Sequence, residues 1–509
     1  MSALGKEFKT ALGENLPHKR SRSIGRWIAD GFGRTRVRIA VVGAKQAGKT
    51  VLLTALQNHL RWLTTACVDD KDREAKTLVG GWYVDKVERI TPQDWEEFPY
   101  ASNREKLSKN GCWPEETKKF RCMELDVDLK NGKRKRLVRL QVLDIPGERF
   151  TDLGSMSHAN YEKWCKRVRD WHYEPGTPGA SQWKDYEAEI GKVMDDFKDY
   201  AYKGNGEDAR QRDREAIISR LVGRYRAFVE FQTEAFSPLV TPSEFILQNY
   251  EGKEDGARQD RIGLSRLVPV TQEMMESKNA LLKSVVRELK KRYEKYKTEL
   301  KVERVVEWLE TVNQVYYLVD VMETLRKGRQ AYYGLGYQIR TVMEVFNPRV
   351  GRVKGLWDFA FKTKPQKFRA VATQIDRVLG ESRDRANLKK LLKSLFARSA
   401  DGMDDVDYML CAAVRSTAEG GTSLTGNFKR DRLKGREDYV KDEEGNEQKN
   451  YGGCTYSPNA VPDIWDWPDG RCRQYREWLY PEPTRFSADI HKVPEAIGLK
   501  ELVSEMILP

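Results

Sequence analysis

The chain has 509 residues, 39% of them hydrophobic and 33% charged, with 90 lysines and arginines against 77 acids and a formal charge of +13. At roughly 150 residues per domain this is about three domain-sized units, or one domain with a large insertion, and ample chain for a core without disulfides or structural metal. The composition excludes collagen-like, mucin-like and wholly disordered chains, and no run of about 18 apolar residues is present to cross a membrane. The opening stretch Met-Ser-Ala-Leu-Gly-Lys-Glu-Phe-Lys-Thr has no apolar run of the kind a secretory leader needs, so none is expected. Seven cysteines without a Cys-x-x-Cys pair predict reduced thiols and a cytoplasmic protein. Five dispersed histidines argue against a histidine metal site or a histidine-driven nucleophile.

The basic excess is mostly mixed with acids along solvated helices, which disfavours nucleic acid as a partner. The exception is the segment 1–33 and its continuation to Arg38, where Lys19, Arg20, Arg22, Arg26, Arg34 and Arg36 surround Ile24, Trp27, Ile28 and Phe32. Such a segment could lie on an anionic membrane surface, making the protein peripheral at a membrane, or pack on the domain by its apolar side.

Val37-Arg38-Ile39-Ala40-Val41-Val42 is a β-branched apolar run and predicts a buried strand, the first of a core whose first half spans 34–160. It leads into Gly43-Ala44-Lys45-Gln46-Ala47-Gly48-Lys49-Thr50, a complete G-x-x-x-x-G-K-T, and then into a helical pattern beginning at Val51. Strand, glycine loop and helix in that order are the context of a phosphate-binding loop. Its successive main-chain N–H groups can cradle a β-phosphate beside the positive end of the helix. Lys49 would bridge β- and γ-phosphates and the Thr50 hydroxyl would ligate Mg²⁺.

Met123, Leu125, Val127 and Leu129 alternate with polar residues, Asn131-Gly132 predicts a two-residue turn, and Val138, Leu140 and Val142 form the return strand. That strand ends in Asp144-Ile145-Pro146-Gly147-Glu148. An aspartate closing an apolar strand can hold Mg²⁺ through a water, and the Gly147 N–H can meet a γ-phosphate. Phosphate loop, hairpin and Asp-x-x-Gly together resemble small GTPases. The region 161–305 reads as a helical insertion, with apolar stripes from Arg214 to Phe236 and from Asn279 to Tyr296 that are core seams or, less simply, a partner groove. The sheet resumes at Val315 within a second core half, 306–417.

Phe368 to Ala372 predicts a strand leading into Thr373-Gln374-Ile375-Asp376. GTPases place Asn/Thr-Lys-x-Asp here, the aspartate accepting the N1 and N2 hydrogens of guanine. Thr373 and Asp376 keep that pattern, and Gln374 replaces the lysine that stacks on the base. A last strand, 408–414, leads to Ser416 and Thr417, where GTPases set backbone against guanine O6. The stretch 418–460 reads as a loop or hairpin insertion and 461–509 as the C-terminal part of the core, with Trp465, Trp467 and Trp478 packing the insertion or stacking on nucleic acid.

With these residues in place the whole chain resembles the YcjX-like P-loop NTPases of bacteria, stress-associated GTP-binding proteins. The matching pieces are Gly43 to Thr50, Trp113-Pro114-Glu115-Glu116-Thr117, Asp144 to Glu148, Tyr161-Glu162-Lys163-Trp164, Tyr317-Leu318-Val319-Asp320, Ala372 to Asp376 and Ala413 to Thr417. The resemblance implies an α/β fold: a Ras-like core of mostly parallel sheet with one antiparallel hairpin, interrupted by a large α-helical insertion. It implies GTP/GDP and Mg²⁺ as ligands. Small GTPases position the attacking water with a glutamine where this chain has Glu148, so slow hydrolysis is expected, raised by a partner protein or a homodimer. Thr117 is the expected γ-phosphate and metal sensor, with Thr77 the competitor. A nucleotide-stabilised scaffold without turnover, and an ATP-preferring enzyme, are the alternatives.

Overall fold

A computed structural model describes residues 34–44, 47–65, 67, 69–110, 112–114, 119–147, 149–157, 159–173, 179–198, 207–235, 241–243, 245, 267–327, 331–332, 334–336, 338–340, 367–380, 382–397, 406–420, 423–427, 439–441, 447–449, 453–456, 461 and 495–508. The basic segment 1–33 and the tryptophans at 465, 467 and 478 lie outside them.

The sheet grows outward from β1 (Arg34–Gly43), followed in the chain by β2 (Tyr83–Ile90), β3 (Glu96–Glu97), β4 (Arg121–Asn131), β5 (Arg134–Asp144), β6 (Gln314–Val319), β7 (Lys367–Ala372) and β8 (Val406–Leu410). In space the order is β2-β4-β5-β1-β6-β7-β8, with β3 beside β4. β5, β1, β6, β7 and β8 are mutually parallel, and β4 runs antiparallel to β5 and to β2. The fold is thus α/β, with a mostly parallel mixed sheet, one antiparallel hairpin and many helices. Covered on both faces, β1 is apolar and buried without a break from Ile39 to Val42. Val37, Ile39 and Val41 point into one core, while Ala40 and Val42 point into the other.

The hairpin turn falls one residue later than Asn131-Gly132. Asn131 pairs with Arg134, and Gly132 takes the first turn position at φ 58°. Glycine suits the left-handed conformation there, which leaves the Asn131 amide to donate to Gly80 O at 2.9 Å. β8 stops at Leu410, short of the expected 414, because Ala412 bridges Ile497 from the C-terminal segment. The stretch after 417 is more than a loop: β9 (Thr417–Gly420), β10 (Ser423–Asn427) and β13 (Gly453–Tyr456) pair antiparallel, as do β11 (Tyr439–Lys441) and β12 (Glu447–Lys449).

On the face toward Val37, Ile39 and Val41 lies α1 (Lys49–Leu63), whose C-terminal end meets α2 (Asp70–Lys76), with α3 (Tyr100–Glu105) alongside. On the other face α4 (Arg149–Met156) begins the helical region of α5 (Tyr161–Tyr173), α6 (Ala180–Asp196), α7 (Glu207–Ala235), α8 (Gln272–Glu276), α9 (Ala280–Glu299) and α10 (Val302–Leu309). Asn279 caps α9 by accepting from the N–H groups of Leu281 and Leu282. The whole stripe of α9 from Leu281 to Tyr296 is buried, so it is a core seam. α11 (Val321–Lys327) follows β6 and α12 (Ser382–Ala397) follows β7. α13 (Leu499–Ile507) closes the first face, its Leu502, Val503 and Met506 joining the core of β1 and α1.

Candidate functional site

Parallel strands bring their carboxyl ends to one edge, and β1 is the strand on whose two sides the chain order reverses, which in open α/β sheets is where ligands sit. The chain leaves β1 at Gly43, whose φ of 150° and lack of a side chain are both required. A Cβ there would stand 2.4 Å from Leu318 O of neighbouring β6. Gly48, at φ 83°, begins α1 in the left-handed conformation, and a Cβ added to it would meet nothing within 4 Å. α1 has no side-chain cap and no acidic residue in its first turn, so the helix itself does not neutralise its positive end. Lys49 curls back over the loop and donates to Gly43 O at 2.9 Å and Ala44 O at 2.8 Å, only 7% exposed. Ala47 is buried beneath, Thr50 is half-buried, and Val51 packs on Leu107 and Val414. Lys45 and Gln46 lie outside the described residues.

One strand away, Asp144 ends β5 in register with Val41 and is fully buried. Gly147 follows, half-buried, and the turn Pro146 O to Arg149 N starts α4. α4 then commits to the helical region. Asp152, also fully buried, accepts from Thr241 Oγ1 at 2.8 Å, Ser243 N at 3.0 Å and Tyr296 Oη at 2.7 Å, with Ser243 Oγ as a further donor. Burial pushes the Asp152 carboxyl up, and Arg149 nearby and these donors hold it back. Arg149 itself donates to Ser243 Oγ at 3.2 Å and Tyr296 Oη at 2.9 Å. Glu148 and Thr117 lie outside the described residues. Thr77, the competitor for Thr117, is placed away from the loop. It donates to Arg73 O in α2, beside the far end of α1, which at 15 residues puts it about 20 Å distant.

On the other side of β1, past β6, the 367–376 segment supplies the second half of the site. Asp376 is 5% exposed and accepts the Ser416 N–H at 2.9 Å, while the Thr417 hydroxyl donates to Asp376 O. Burial raises the Asp376 carboxyl, and the Ser416 N–H restrains that shift. Thr373 is anchored through its own N–H to Val319 O at 2.9 Å, but its buried hydroxyl has no hydrogen-bond partner among the described residues. Gln374 adopts the left-handed conformation at φ 57°, and its amide oxygen accepts from Arg377 Nη1 at 3.4 Å. The amide end is thus drawn to Arg377. Sequence reasoning missed Arg377. It is fully buried and reaches Asp320 Oδ2 at 3.0 Å, tying the end of β6 to the loop after β7. Asp320 also accepts the Glu323 N–H and so starts α11. The Tyr-Leu-Val-Asp ending of β6 was a signal for Asp320; nothing local to Arg377 announces its partner 57 positions away.

A nucleoside phosphate and a divalent ion fit these residues. The uncapped helix start and open space at Gly48 suit a phosphate, the buried Thr373 hydroxyl has no partner among the described residues and could take a ligand, and Thr50 and Asp144 are the hard oxygen donors that Mg²⁺ takes. Sheet order, glycine loop and carboxylate-tipped neighbouring strand define an α/β protein with a P-loop NTPase-like core carrying a helical region. Among known families, residues 37–484 match the YcjX-like family, DUF463, and the chain belongs to that family. No described helix is long and apolar enough to cross a membrane.

Proposed function

We propose that this protein binds GTP with Mg²⁺ at the carboxyl edge of the sheet, hydrolyses it slowly to GDP and phosphate, and passes the nucleotide state to its helical region. The observation that carries this reading is the placement of Asp376, held by the Ser416 N–H, on the same edge as the Lys49 loop. β7 stands two strands from β1, about 10 Å at the usual spacing, which suits the span from a diphosphate to its base. One accepted N–H leaves a carboxylate room for the two donors of guanine, and adenine offers neither.

In this reading the main-chain N–H groups from Gly43 to Val51 hold the α- and β-phosphates, and Lys49 leaves its two carbonyls to lie between β and γ. Mg²⁺, held by Thr50 and through water by Asp144, would neutralise charge building on the bridging oxygen. Gly147 meets the γ-phosphate through its N–H. Water attacks the γ-phosphorus, the bond to the bridging oxygen breaks, and GDP leaves with phosphate. Turnover is slow because a carboxylate at Glu148 is repelled by the γ-phosphate it would need to approach. The step from Gly147 to Asp152 is five residues, so loss of the γ-phosphate pulls directly on the anchor of the helical region.

The test is the nucleotide carried through purification, followed by phosphate release from GTP and ATP by wild type and Lys49→Ala. Bound guanine nucleotide and GTP turnover lost in the variant by about 100-fold or more are expected, since Lys49 supplies charge in the transition state. Binding without turnover points to the scaffold alternative, ATP preference to an adenine enzyme, and no nucleotide binding at all sinks the reading.

A further inference from the structure

The end of the sheet opposite the candidate site carries a surface that nucleotide chemistry does not use. The tip of the β4–β5 hairpin exposes Lys133, Arg134 and Lys135 side by side, and no acid occurs from Leu129 to Leu137. Among the described residues these three cations form no ion pair, whereas Lys130 on the same tip is paired with Asp85. Beside them lie Val79, 67% exposed, and Tyr83, 41% exposed, two of the five exposed large apolar side chains among the described residues. Two contacts make this one platform: Asn131 Nδ2 donates to Gly80 O, and Tyr83 sits in register with Lys130. We infer that this hairpin tip and the adjoining turn dock on a bilayer containing anionic phospholipid.

The chemistry of the patch selects that partner. Each cation is drawn to a negatively charged leaflet, and an exposed valine beside a tyrosine gains by entering the boundary between headgroups and acyl chains. A nucleic-acid backbone would use the cations but offers nothing to Val79. The orientation also suits a membrane. β5 runs 11 residues from Arg134 to Asp144, so the candidate site faces away from a docked bilayer by about 35 Å. β1 enters the sheet at this same end, with Arg34 in register with Leu137. This inference stands whether or not the site binds GTP.

Full-length protein sedimented with vesicles of phosphatidylcholine alone, or mixed with phosphatidylglycerol, gives the test. Wild type is expected to bind only the anionic vesicles. Lys133→Glu/Arg134→Glu/Lys135→Glu should lose binding by about tenfold or more, as charge attraction becomes repulsion. Val79→Ser/Tyr83→Ser, which keeps every charge, should weaken it several-fold. All sites are exposed, and circular dichroism verifies that each variant is folded. Wild-type affinity in both variants overturns the inference. So does loss confined to a Lys19→Ala/Arg20→Ala/Arg22→Ala/Arg26→Ala variant, or capture of an RNA oligonucleotide with none of the vesicles.

Discussion

Asp376 would read a base only if its carboxylate is held still, and the structure supplies restraints from two other strand ends. Ser416 and Thr417 bind it from beyond β8, and Arg377, one residue on, is locked to Asp320 at the end of β6. A buried, paired guanidinium costs desolvation that the Asp320 pairing offsets, so removing either partner leaves a stranded charge. The carboxylate accepts where an amide would also donate, which gives a prediction at this scale. Asp376→Asn should lose GTP affinity by about 100-fold or more while accepting xanthosine triphosphate, whose carbonyl at the same ring position faces the new donor. Competition of both nucleotides against a fluorescent GDP analogue measures it; unchanged GTP affinity would mean that Asp376 does not face the base. The Thr-x-x-Asp residues were legible because they follow a strand at the spacing GTPases use. Arg377 was not, since a lone arginine in sequence looks like any solvated cation.

Helix α4 is the element on which a switch would act. It has only eight residues, too few to be stable alone, and every residue from Phe150 to Met156 is buried. Its place is set by Asp152, which draws donors from the 241–243 segment and from Tyr296 of α9. Asp152→Asn sets an amide donor against this ring of donors and should destabilise the protein by about 2–3 kcal/mol, more than a surface substitution. Urea unfolding checks it, and a loss under about 0.5 kcal/mol would show that the anchor is dispensable. The helical stripes of α7 and α9 could be read directly, because a 3.6-residue repeat declares which side is buried. What they bury against could not, since periodicity names a face and never its partner.

Across the molecule the helical region has no separate core. One continuous cluster runs from Ala40 and Val42 of β1 through Tyr161 and Trp164 of α5 to Tyr225 and Tyr293 of α7 and α9. Within it His172 stacks on Trp183 at 4.6 Å and meets Phe228 edge-on at 4.9 Å, and neither ring nitrogen has a hydrogen-bond partner among the described residues. Burial lowers its pKa to about 3, and burial followed by Lys500 lowers that of His59 to about 4. Both folded-state values lie below the unfolded value of about 6.5, so their stabilising contribution is complete above that pH and is lost as pH falls toward the folded values. Each costs about 1.4 kcal/mol for every unit below 6.5. Replacing His172→Phe keeps the stacking and should flatten the fall in stability between pH 6.5 and 4.5 by that slope. Urea titrations at several pH values would expose an unchanged slope as evidence against a buried neutral histidine.

By itself the amino-acid order determined the glycine loop between β1 and α1, the hairpin, the Asp144 strand end, the aspartate after β7 and the helical stripes, because each rests on interactions within a few residues of chain. Only the tertiary structure decided that the helical region shares the sheet's core, that Arg377 braces the loop after β7 against Asp320, and that Asp152 joins the segment after Gly147 to α9. The first is apolar packing and the other two are pairings of buried polar groups, all across long stretches of chain. Burial is what makes them strong, and burial is a property of the packed whole.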